Sequence, residues 1–136
     1  MRRSVSLASL ALSLVASPAW ADCPLELGRG TGWVVFSDQY MIAFRPDPSL
    51  IEIGQPFALI LNVCTKKDEA AELVAVDVQV SDEGRGAIQH LRIVPGLNGR
   101  YRAEDMQLIA AGRWEVTFDV RSGAEIERLT HEIVVK

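Results

Sequence analysis

Turn signals recur about every ten residues along most of this chain, and the stretches between them alternate apolar and polar side chains. Leu73 to Val80 and Arg113 to Arg121 show it most clearly. In the first, Val74, Val76, Val78 and Val80 share one side while Asp77 and Gln79 take the other. In the second, Trp114, Val116, Phe118 and Val120 form the apolar side. A period of two is the mark of strands with one face against a core. The same pattern, or a short apolar run, occurs at Gly32–Phe36, Tyr40–Arg45, Leu50–Ile53, Phe57–Cys64, Ala87–Val94, Arg100–Ala103 and Ile126–Val135. Phe57–Cys64 is apolar on both faces, as a central strand would be. Pro46-Asp47-Pro48, Gly54-Gln55-Pro56, Pro95 to Gly99 and Ser122-Gly123 supply the turns. No amphipathic helical stretch of about twelve residues interrupts this series. The expected fold is all-β, an antiparallel immunoglobulin-like sandwich of about seven or eight strands.

The first 21 residues do not fit that series. Arg2 and Arg3 are followed by an uncharged, mostly apolar run from Ser4 to Ala16, and then by Ala19-Trp20-Ala21. A positive start, a short apolar stretch and small residues at the end describe a secretory signal peptide cleaved before Asp22. The apolar run is shorter than the roughly 20 residues a spanning helix needs. Lipid attachment at Cys23 is disfavoured, because Asp22 stands where a small residue is required. Residues 1–21 are therefore expected to be a signal peptide and 22–136 one periplasmic domain that does not span the membrane. Without Arg2 and Arg3 that domain keeps 12 of the 14 basic residues against 18 acidic ones, a net charge near −6. A nucleic-acid binder needs the opposite balance. Cys23 and Cys64 are the two cysteines, and in an oxidising compartment a disulfide between them is expected.

Few residues suggest chemistry. The two histidines are His90 and His131, and no GxSxG motif is present. Each histidine falls on a strand face with apolar neighbours, and both are expected to pack at the margin of a core. The Asp82-Glu83 and Glu104-Asp105 pairs point to opposite faces of an extended chain and do not converge. The soft donors for Cu(I) are Met41, His90, Met106 and His131, widely spaced along the chain. Arg100, Arg102 and Arg113 would form a basic patch, or pair across strands with acids such as Glu115. No catalytic constellation emerges, so an enzyme is not expected.

Gly99-Arg100-Tyr101-Arg102-Ala103-Glu104 and Gly112-Arg113-Trp114-Glu115 resemble the small exported proteins called YtkA-like, a group close to the FixH-like family. The likeness extends to Phe44 to Pro48, Ile53 to Phe57, the strand ending at Cys64, and Glu127 to His131. The resemblance implies an immunoglobulin-like periplasmic domain with a role near copper or respiratory-oxidase assembly. Members commonly carry a His- and Met-bearing segment and a Phe-His-Met-Pro-Gly segment. Here Glu83, Arg85 and Ala87 stand in place of the first segment's donors, and Leu108 to Gly112 in place of the second. No metal residue is carried over, and no cofactor is expected. The expected function is a non-enzymatic accessory module that binds another periplasmic or membrane-bound protein. The loops around Asp82, Glu83 and Arg85 and around Met106 and Gln107 are the expected contacts. The alternative is a copper-binding or copper-delivery protein.

Overall fold

A computed structural model describes residues 32–66, 70–81 and 88–136. Nine strands build it: β1 (Trp33–Phe36), β2 (Tyr40–Asp47), β3 (Phe57–Thr65), β4 (Glu72–Val80), β5 (Gln89–His90), β6 (Arg92–Pro95), β7 (Arg100–Met106), β8 (Gly112–Ser122) and β9 (Glu125–Val135). All pairings are antiparallel. One sheet runs β1-β2-β3-β7-β6 and the other β5-β4-β8-β9. With β2 taken as strand A, these are the A-B-E-D and C′-C-F-G sheets of an immunoglobulin-like sandwich, with β1 as an added edge. No helix among the described residues is long and apolar enough to cross a membrane.

The inner faces meet in one core. Tyr40, Ile42 and Phe44 of β2 and Leu59, Leu61 and Val63 of β3 face Val76 and Val78 of β4 and Trp114, Val116, Phe118 and Val120 of β8. Phe44 and Phe118 span the two sheets with ring centroids 4.8 Å apart. β3 lies between β2 and β7, so it is central, as its two apolar faces predicted.

Three sequence expectations change. Leu50–Ile53 is not a strand; it belongs to the loop joining β2 and β3, where Gln55 N donates to Glu52 O. β2 itself continues through Pro46 to Asp47. β1 pairs only as far as Phe44, so β2 has one neighbour beyond that point and tolerates a proline. Ala87–Val94 is not one strand but two. Residues 89–90 pair with β4, the Leu91 N–H donates to Val76 O at 2.9 Å, and Arg92 then begins pairing with β7 in the other sheet. The buried Leu91 side chain marks the crossing.

Bulges explain where simple alternation misplaces a face. In β4 the register shifts between Leu73 and Ala75, so Leu73 is buried with Val76 and Val78 while Val74 is half-buried. The Leu73 N–H donates across the sandwich to the Tyr101 hydroxyl at 3.3 Å. In β7 the register shifts where Phe57 pairs with Met106 but Leu59 with Ala103. Asp105 takes a left-handed φ of 69°, and Ala103 and Met106 both turn inward.

Candidate functional site

The loops joining β2 to β3 and β7 to β8 meet at one end of the sandwich, and the start of β5 joins them there. Gln107 ties all three together. Its backbone N donates to Gln89 Oε1 at 3.0 Å, its O accepts from Gln89 Nε2 at 2.6 Å, and its own Nε2 donates to Gly54 O at 2.6 Å. Gly54 N donates to Leu108 O at 2.8 Å, and Trp114 Nε1 donates to Ala110 O at 3.0 Å. These bonds consume polar backbone groups that irregular chain would otherwise leave to water. The apolar side chains next to them are left outside: Ile53 is 43% exposed and Ile109 74%. Leu108, between them in this bonded end, is fully buried.

Of the loop residues singled out from sequence, Gln107 is exposed but occupied as the clamp just described. Met106 is fully buried, because the β7 bulge turns it into the core, and it offers no surface contact. The αL-tolerant Asp105 beside it is the one sequence signal for that bulge. Asp82, Glu83 and Arg85 lie outside the described residues. Ile53 and Ile109 were not singled out from sequence; a lone isoleucine in a loop carries no pattern, and its exposure is legible only in the fold.

The four soft donors do not come together. Met41 pairs opposite Cys64 and Met106 opposite Phe57, at the two ends of β3, a span of roughly 23 Å at about 3.3 Å per residue. His90 and His131 sit on β5 and β9, the two outer strands of one sheet, roughly 14 Å apart at about 4.8 Å per strand. They also face opposite ways. His131 packs inward, edge-on to Phe44 at 5.5 Å and 6.4 Å from Trp33. His90 does not pack at a core margin; its side chain is 77% exposed, and Nδ1 lies 2.7 Å from Asp77 Oδ1. Strand β5 is an edge only two residues long. Among the described residues, no group of three or more His, Cys, Asp or Glu side chains is placed to hold a metal ion.

The Asp77–His90 pair borders a shallow depression of about 260 Å³ lined also by Gln79, Ile88, Thr117 and Arg128. Asp77 orients the imidazole and leaves Nε2 toward solvent. Among the described residues no hydroxyl or thiol is hydrogen-bonded to that ring.

Arg102 pairs not with Glu115 but over the back of β3. Its guanidinium reaches Asp47 at 2.7 Å and Glu104 at 3.3 Å, and Glu104 is bonded in turn to Arg92. The hydrogen bond that Arg102 donates to Asp47 leads in raising the Arg102 pKa above its ordinary value. Ala58 is buried opposite Asp47, on the strand this pair crosses. Glu115 instead accepts from Gln79 at 3.4 Å. Cys64, buried on β3, is not a free thiol; Cys23 lies outside the described residues, as does the whole of 1–21. No protein-family model, curated protein or solved structure matches the chain.

Proposed function

We propose that this chain is an exported, non-enzymatic accessory module of YtkA-like type that binds another periplasmic or membrane-bound protein through the clamped end of its sandwich. The observation that carries the reading is the pairing of rigidity with exposure there. Gln107 fixes the two loops against each other, and Ile53 and Ile109 stand out from the fixed backbone. An ordered apolar contact loses little freedom on binding, which is where flexible loops lose affinity. The reading also takes residues 1–21 as a cleaved signal peptide and Cys23–Cys64 as a disulfide holding the N-terminal segment to β3. Copper delivery is less well supported, since the four soft donors lie on separate parts of the fold.

The test is crosslinking in cells with photoreactive residues at positions 53 and 109, with exposed position 97, in the turn between β6 and β7 at the other end of the sandwich, as control. A single discrete adduct is expected from each position, and the position-53 adduct should be lost in an Ile109→Asp variant that still folds. Nothing above the position-97 background would overturn the reading.

A further inference from the structure

Sheet edges are where a β protein meets other chains, and natural sandwiches blunt them with short strands, proline, lysine or bulges. Three of the four edges here are blunted. β5 has two residues, β1 has four, and β6 has four and ends in Pro95. β9 is neither short nor bulged, and the outward charges at its centre, Arg128 and Glu132, are of opposite sign. It runs eleven residues, Glu125 to Val135, with no proline, glycine or lysine, and pairs with β8 without a register shift along its whole length. Among the described residues nothing is hydrogen-bonded to its far side. β1 passes nearby through Trp33 against His131, but it is paired to β2.

The outward side chains of β9 are Ile126, Arg128, Thr130, Glu132 and Val134. This series is its own complement when reversed about Thr130. An antiparallel second copy of β9 with Thr130 opposite Thr130 puts Arg128 opposite Glu132 and Ile126 opposite Val134, twice each by symmetry. Shifting the pairing by two residues either way loses both matches. Cross-strand pairs of these kinds are what stabilise a sheet, and like charges opposite one another oppose it. Ile126 and Val134, 60% and 61% exposed, gain cover in this arrangement. Arg128 contacts Asp119 through Nε and Nη2, and among the described residues Glu132 has a long contact with Arg113 at 3.9 Å.

We propose that the β9 edge is a self-association surface, at which two copies join antiparallel about Thr130 to form one continuous eight-stranded sheet. The interface is isologous, as two-fold dimers are. One strand edge with five outward side chains is small for an interface, so the dimer belongs to the weak, concentration-dependent class.

Sedimentation equilibrium of the protein purified after expression of its full coding sequence tests this. A monomer–dimer equilibrium is expected. Arg128→Glu or Glu132→Arg alone should weaken it about tenfold, since each places like charges opposite one another twice. The two together should restore it to within about threefold of the parent. Ile126→Lys, at an exposed position with no internal polar partner, should weaken it without touching the Asp119 contact, and serves if Arg128→Glu fails to fold. Thr130→Cys should give an oxidised covalent dimer, and Ile126→Cys should not. A monomer at all concentrations would overturn the proposal. So would a dimer indifferent to the charge variants, or equal crosslinking from both cysteine variants. Capture of a different chain's strand at β9, with no self-association, would overturn it as well.

Discussion

Replacing Gly99 by alanine should be among the most damaging single-methyl changes this domain can suffer. Gly99 closes the turn between β6 and β7 with φ at 76°, next to Asn98 at 57°. A β-carbon there costs about 1–2 kcal/mol from the left-handed backbone alone. It would also sit 2.7 Å from the Val63 carbonyl oxygen, a backbone atom in the middle of the sheet. That carbonyl belongs to the residue whose own N–H donates to Gly99 O at 2.9 Å, so the chain cannot retreat without stretching this bond. Losing it adds about 1 kcal/mol, for a total of about 2–3 kcal/mol. At about 4–8 °C per kcal/mol for a domain near this size, the melting temperature should fall by about 10–20 °C. Gly123 provides the control. It too has a positive φ, 63°, but a β-carbon there meets nothing within 4 Å. Gly123→Ala should therefore cost only the backbone share, about 1–2 kcal/mol. Circular-dichroism melts of the two variants would decide it. If they melt together within about 2 °C, the close approach to Val63 carries no energy and the reasoning fails.

Other outcomes can be measured on the same protein. Tyr101→Phe leaves the buried Leu73 N–H without its acceptor and should cost about 1–2 kcal/mol in urea unfolding, with an unchanged slope. Gln89→Ala removes both side-chain bonds to the Gln107 backbone and should raise amide exchange at Gln107 and Leu108 well above any effect on global stability. Arg102→Ala should uncover Ala58 and cost no more than about 1 kcal/mol, because the guanidinium is 42% exposed and its ion pairs are screened. Since Asp47 raises the Arg102 pKa, the contribution of that group is present at every pH below its ordinary value and is lost only above it; melting between pH 6 and 9 should not vary on its account. Cys64→Ser should lower stability by about 3–4 kcal/mol if residues 23 and 64 close a loop of roughly 40 residues, and reduction of the parent should have the same effect.

Much of the architecture was legible because strict alternation survives in the strands that carry the core. Trp114, Val116, Phe118 and Val120 are buried as their spacing requires, and Leu129, Ile133 and Val135 likewise. Periodicity failed wherever a single residue shifted the phase. The bulge after Leu73 turns that side chain to the face that counting assigns to water. The strand expected to end at Ala103 runs on through the bulge at Asp105, so Met106, expected as a loop contact, closes β7 inside the core. The division of Ala87–Val94 into two strands was hidden because Leu91 looks the same in a continuous strand as at a crossing between sheets. The candidate site was less legible still. Gln107 acts through bonds to Gln89 and Gly54, partners far away in sequence, and no local pattern announces such contacts.

The order in which strands become neighbours bears on how this chain reaches its folded state. β3 is flanked by β7, with Leu59 beside Ala103, and β4 is flanked by β8, with Val78 beside Val116. A ribosome or a translocation pore releases the chain from its N-terminus. β2 and β3 can form their hairpin early, yet β3, apolar on both faces, must then wait, one edge bare, until β7 arrives. β4 waits longer, for β8. Sheets closed by such distant partners assemble slowly, and the half-emerged chain presents to its surroundings the very edges that the finished sandwich conceals.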